Sequence, residues 1–337
     1  MQRNYFTGVA CVVLASACYG VTPILSNTAL NGGLPEEFVR GVFGSGGFAG
    51  IAAENPARAV TNETLVAISM GIACVLSLLG ALIGRKRLGV SFRQFMSLSV
   101  LGGGALAGTL LLITYAYQRI PPGMTIVINF TYPVFVMVAG VMFFREKARP
   151  AALVAVLLAI VGIGLLSLAG TSGTVDALGI LIALASGITY AIYFLAGRNS
   201  SYASLDTAVS NVYITGAASV LALVVALLTS RFSLPTDLFI WGVLFLEALL
   251  GYVIGLRLLL AGIRILGSTT ASAINTLEPA FASITSMLIF GEAMGLFKGL
   301  GILLVLIGAL ISIILLRNAG VKAAPKSGNR SRKKSRS

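Results

Sequence analysis

The sequence predicts an all-α membrane protein: ten transmembrane helices in two inverted five-helix repeats. Three observations carry this reading. The 337 residues are 57% hydrophobic and only 10% charged, whereas soluble domains are usually about 25% charged. Apolar runs long enough to cross a hydrocarbon core of about 30 Å recur from end to end. The chain also repeats itself. At an offset of 146, Asn129 meets Asn275, Pro133 meets Pro279, Glu146 meets Glu292, Gly162 meets Gly308 and Arg85 meets Arg231. Pro, Asn and Glu are scarce among so many Gly and Ala, so coincidence explains these matches poorly. Lipid offers backbone groups no partners, and the alternation of barrel strands is missing, so the spans are helices.

The first helix is expected over 8–27. Arg3, the apolar stretch after it and "ASA" (15–17) resemble a signal peptide. The apolar run continues past Ala17, however, and cleavage would leave an odd number of helices. Residues 28–63 form a long connection, and helices 64–84, 96–118, 124–144 and 151–169 complete the first half. Pro133 sits inside the fourth. The second half is expected at 178–197, 207–229, 238–260, 268–290 and 299–316, with Pro279 inside its fourth helix. The first helices of the halves pair through "LAS" at 14–16 and 184–186, at an offset of 170. An insertion of 24 residues in the first half accounts for the difference. It lies in "PEEFVRGVFGSGGFAGIAAENPAR" (35–58), which reads as a surface or interfacial segment; were it to span, the N-terminus would lie outside. Five helices per half is an odd number, so the second copy runs upside down. That is a recurrent plan of secondary transporters, which bind near the bilayer midplane between their halves.

The net charge of +13 does not point to nucleic acid. Eight Lys or Arg fall between Arg317 and Ser337, in a Ser-, Gly- and Pro-rich tail expected to be disordered against anionic lipid. The tail, "RKRLGVSFR" (85–93) and "REKARP" (145–150) share one side of a ten-helix layout. "GTSGTVDA" (170–177) and "SRFSLPTD" (230–237), nearly without bases, face the other. Both termini are therefore expected in the cytoplasm of an inner-membrane protein. Cys11, Cys18 and Cys74 all lie within spans and make no CxxC. They read as packing residues. The glycines of "GGGALAG" (102–108) lack the Lys and Ser/Thr of a phosphate loop. With no histidine, no HExxH and no GxSxG, no enzyme, cofactor or metal is expected. The expected partners are a small-molecule substrate and lipid; the sequence sets no oligomeric state and is compatible with a monomer.

Two stretches, "TYPVFVMVAGVMFFREKARPAALVAVLLAIVGIGLL" (131–166) and "LEPAFASITSMLIFGEAMGLFKGLGILLVLIGALI" (277–311), share a pattern. A Pro within a helix is followed thirteen residues later by a Glu, then by a Gly-bearing helix. This resembles the paired signature of EamA-type exporters in the drug/metabolite transporter superfamily, including aromatic amino acid exporters. The resemblance implies ten helices in two inverted bundles and efflux of small metabolites by alternating access. The long connection at 28–63 departs from the usual compact loop.

The site residues are read from helical spacing. Pro133 and Pro279 cannot donate to the carbonyls of Asn129 and Asn275, so both helices should kink near mid-membrane. Ser268, Ser272, Asn275, Glu278, Ala282 and Thr285 make one stripe, and Thr125, Asn129, Tyr132 and Val136 another. Such stripes either line a cavity or seat one helix on the next. Glu278, which corresponds to Tyr132, stands out because a central acidic side chain costs on the order of 2.5–3.5 kcal/mol to insert. It is expected to bind substrate or carry a proton, or else to bond the freed carbonyls as a neutral acid. Glu247 is the other deep acid and a second proton-coupling candidate, with Gly251 and Gly255 on its face. Glu146 and Glu292, at helix ends, read as structural. Tyr19, Tyr190 and Tyr193, on equivalent helices, could hold a partly aromatic amine by stacking and cation–π contact. Substrate contacts are thus expected from Glu278, Asn275, Asn129, Tyr132, Tyr19, Tyr190 and Tyr193. A small-metabolite exporter, best matched to amino acids, leads. A proton-coupled drug or cation antiporter and a purely structural protein are the alternatives.

Overall fold

The computed structural model describes residues 2–35, 39–40, 52–120, 122–144, 150–168, 176–290 and 295–322. Most of the 35–58 insertion, Glu146, Glu292 and the tail beyond Lys322 lie outside the described residues. The described chain is helical: α1 (Gln2–Leu30), α2 (Asn62–Ile83), α3 (Phe92–Tyr117), α4a (Pro122–Asn129), α4b (Tyr132–Phe144) and α5 (Pro150–Leu168). The second half holds α6 (Ala177–Asn199), α7 (Thr207–Leu228), α8 (Leu238–Leu266), α9a (Ser268–Asn275), α9b (Glu278–Phe290) and α10 (Leu296–Lys322). Among the described residues, seven helices are long and apolar enough to cross a membrane: α1, α2, α3, the α4 pair, α6, α7 and α8. In α5 and α10 the apolar stretches are shorter, Leu153–Leu166 and Leu296–Ile311. The α9 pair falls outside this class because α9a, "STTASAIN", is rich in hydroxyls. The fold shelters it from lipid: Ser268, Thr270, Ser272 and Asn275 are all buried.

Packing exchanges one repeat for the other. Helix α2 lies on α7 and α5 on α10, while α1 packs on α8 and α9 as α6 packs on α3 and α4. Close approach is built with glycine. A Cβ on Gly162 would stand 2.7 Å from the Gly301 carbonyl oxygen, and one on Gly308 would stand 2.6 Å from that of Ala155. Outward faces are greasy. Val75, Leu79, Leu82 and Ile83 of α2 are exposed, and so are Val220, Val224, Leu227 and Leu228 of α7. A soluble domain rarely leaves such stripes bare; here they suit lipid.

Local chemistry sets the ends. Thr61 caps α2, Asp206 caps α7 and Asp237 caps α8, each accepting from a backbone N–H of the first turn. A single residue, Gly267, joins α8 to α9a at φ +89°, a backbone region only glycine enters freely. The expected kinks at Pro133 and Pro279 are full breaks, at 130–131 and 276–277, again 146 apart. At both the chain tightens: Thr131 N–H donates to Ile128 O and Leu277 N–H to Ile274 O, each at 3.1 Å.

Candidate functional site

Each break turns a small polar cluster inward. The Nδ2 of Asn275, the last residue of α9a, donates to the Tyr132 hydroxyl at 3.1 Å and to Glu278 Oε2 at 3.2 Å. Its Oδ1 accepts from Ser16 of α1 at 3.2 Å, and the Tyr132 hydroxyl donates to Ser272 O at 3.3 Å. Tyr132 and Glu278, equivalent positions of the two repeats, thus meet on one asparagine. The other asparagine is used differently. Asn129 Nδ2 donates to Ser186 Oγ of α6 at 2.9 Å. Ser16 with Asn275 and Ser186 with Asn129 are the same pairing with the repeats exchanged, and each bond joins the two repeats.

Aromatic rings fill the space around Glu278. Tyr132 and Tyr190 stand with centroids 4.6 Å apart, and Phe194 lies 5.1 Å from each. Tyr19, Tyr117, Tyr132, Tyr190 and Tyr252 all lie within electrostatic reach of the Glu278 carboxylate. Those phenols come from α1, α3, α4b, α6 and α8, so the acid sits amid both repeats. Asn275, Tyr132, Tyr19 and Tyr252 are buried, whereas Glu278 and Tyr190 are half-buried. Among the described residues no cation pairs with Glu278.

Of the expected site residues, Glu278, Asn275, Tyr132, Tyr19 and Tyr190 come together. Tyr193 stacks behind Tyr190 at 6.2 Å, and its hydroxyl is buried without a partner, on the side of Tyr202 and Arg264. Asn129 is tied to Ser186 and makes no described bond to the carboxylate. Glu247 is buried on α8 and bonded by Ser26 at 2.6 Å and Ser69 at 2.8 Å. Gly251 and Gly255 admit α1, as their shared face implies: an added Cβ would meet Thr22 at 2.7 Å and Tyr19 at 3.2 Å.

Four residues escaped the sequence reading, Ser69 of α2 among them. Tyr252 lies on a π-helical stretch, Ala248–Gly255, where α-helical spacing misplaces faces. Tyr117 stands at a helix end, where periodicity has too few residues to show a face. Glu63 was signalled only by its place after the Thr61 cap. It is 1% exposed and accepts from Tyr115 at 3.0 Å and from Arg231 at 3.3 Å.

Comparisons with known proteins agree with this architecture. One solved crystal structure shares the fold, with a TM-score of 0.72 at 16% identity over 93% of this chain and 98% of that one. No curated protein matches the sequence. The EamA-like transporter family matches twice, over residues 41–168 and 177–314. These two matches take in most of the chain; the first begins after α1 and ends at α5, and the second runs from α6 into α10. The protein therefore belongs to the EamA-like transporter family, multi-pass membrane transporters of small molecules.

Proposed function

We propose that the chain is an inner-membrane secondary transporter that exports amine-bearing metabolites, amino acids and aromatic amines foremost, by alternating access. In this reading all ten helices span, and both termini are cytoplasmic. The observation that carries it is Glu278: a half-buried carboxylate, ringed by phenols and without a paired cation among the described residues. An ammonium group would neutralise the acid, which is costly to keep charged at that depth. The aromatic faces of Tyr190 and Tyr132 would hold an apolar or aromatic side chain and add cation–π attraction. Asn275 orients the acid, and Ser16 orients Asn275. The inverted packing supplies two exchangeable ways of closing on the site, the geometry alternating access needs.

A second reading, proton-coupled antiport of lipophilic cations, draws on the same carboxylate, which could exchange a proton for a drug cation. A purely structural role gives no reason for an acid among tyrosines at this depth.

The test is thermal stabilisation of the purified full-length protein by a panel of amino acids, amines, sugars and organic anions. Aromatic and apolar amines should raise the melting temperature, while sugars and anions should not. Stabilisation by lipophilic quaternary cations alone would favour the drug reading. A panel with no stabilising amine would overturn the assignment.

A further inference from the structure

Away from Glu278, a second acid is buried outright. Glu247 has no solvent exposure. Ser26 of α1 donates to its Oε1 at 2.6 Å and Ser69 of α2 to its Oε2 at 2.8 Å, and the Tyr252 phenol interacts with the same carboxylate. The serines belong to the first repeat and the acid to the second.

Helix α8 departs from regular geometry to make this cradle. In an α-helix, residue 252 would point well away from the face of residue 247. The π-helix Ala248–Gly255, with its i→i+5 bonds, brings the two onto one side. Two bare glycines on the same stretch let α1 approach closely enough for Ser26 to reach the acid. Both devices cost helix stability, so the carboxylate is not a casualty of packing.

No cation faces it. Helix α1 presents Cys18, Tyr19 and Ser26, and no charge. Helix α2 presents Ser69; its Glu63, about 9 Å along the helix, is engaged by Tyr115 and Arg231. Glu278 of α9b lies beyond Tyr252, within electrostatic reach of that phenol. Helix α7 sends Asn211, whose Nδ2 donates to Tyr252 O at 2.8 Å. On α8 itself, Arg257 is ten residues further along and acts on Asp206. A buried carboxylate without a cation must be satisfied by hydroxyls or carry a proton. A sodium ion would need to sit between oxygens, whereas these hydroxyls touch the carboxylate directly.

We infer that Glu247, cradled by Ser26, Ser69 and Tyr252, is a proton-binding site whose charge state sets how firmly α8 is held to α1 and α2. Hydrogen bonds to a charged acceptor are roughly twice as strong as neutral ones. The ionised acid therefore locks the three helices, and the protonated acid loosens them. What this does for transport rests on the transporter reading above; the proton site itself does not.

The test is pH-difference infrared spectroscopy of the full-length protein in phosphatidylcholine vesicles without solute. Lowering the pH should bring up the carbonyl band of a buried, protonated carboxyl group. Glu247→Gln should abolish a component that Glu278→Gln retains. The Ser26→Ala/Ser69→Ala double variant keeps the acid and should move both the band and its pH midpoint, which decides the matter if Glu247→Gln does not fold. A spectrum unchanged in Glu247→Gln, or unchanged in the serine variant, overturns the inference. So does a band removed by exchanging choline chloride for sodium chloride at fixed pH, which would assign the cradle to sodium. A failed solute panel leaves this band untouched, so the two readings fail separately.

Discussion

Asn275 carries three side-chain partners, on Ser16, Tyr132 and Glu278, all in the protein interior. Asn129 has one described partner, Ser186, which also bonds Ala183 O at 2.6 Å. The two repeat-related asparagines should therefore differ in cost. Asn275→Ala strips Glu278 of its donor and should destabilise by about 1–3 kcal/mol, the penalty of an unsatisfied buried group. Asn129→Ala leaves Ser186 bonded and should cost about 1 kcal/mol. Melting curves of the two variants check the order, and a costlier Asn129→Ala would contradict it. The sequence shows this cluster because Asn275 and Glu278 stand three apart on one stripe, and Tyr132 is found by the repeat. It hides Ser69, Tyr252 and Glu63. Glu247 corresponds to Leu101, so the repeat gives no warning of its cradle.

Among the elements, the broken helices and the glycine-seated pair make the clearest claims. Proline positions predict a disturbance at Pro133 and Pro279. They do not predict its size, since the i→i−3 tightening at Thr131 and Leu277 depends on neighbouring helices taking up the loose ends. Gly187 is one such neighbour: a Cβ there would lie 3.1 Å from the Asn129 carbonyl oxygen. Restoring an N–H with Pro279→Ala should favour a continuous, stiffer α9 and reduce transport while expression holds. Full transport in both Pro133→Ala and Pro279→Ala would remove the breaks from the mechanism. Helices α5 and α10 offer a cleaner contrast. Gly162→Ala drives a methyl into the Gly301 backbone and should cost roughly 1–3 kcal/mol. Gly164→Ala meets nothing within 4 Å and should be neutral or mildly stabilising. Equal melting temperatures for the two would show that this packing is not as described.

At the scale of the whole molecule, ion pairs tie repeat to repeat: Arg58 to Asp237, Glu63 to Arg231, Arg119 to Asp176 and Lys86 to Asp206. The Lys86 hydrogen bond holds the Asp206 carboxyl below its ordinary range, against a smaller opposing effect of burial. Arg119, then the Leu178 N–H, does the same for Asp176. A depressed carboxylate contributes stability above its unfolded value, about 4, and loses it as pH falls further. Acid should therefore loosen the repeats, and Asp206→Asn should flatten part of that response. At neutral pH the same change should cost less than about 1 kcal/mol, because the pair is well exposed. Topology is open to a direct check: tags at Asn4 and Ser327 should report the cytoplasm and one at Thr174 the opposite side. An outward Asn4 with an inward Ser327 would show instead that the 35–58 insertion spans.

The claim on which the account turns is that Glu278 holds the cargo. Its test is uptake into proteoliposomes of the amine that stabilises the protein most, measured at two pH values for wild type and Glu278→Gln, with melting curves alongside. Glutamine keeps the shape and removes the charge and the titration. The account predicts that Glu278→Gln melts close to wild type yet loses concentrative uptake and its pH dependence. Intact, concentrative, pH-dependent uptake by Glu278→Gln, with Glu278→Ala failing only through instability, would contradict it and leave Glu278 a structural hydrogen-bonding group.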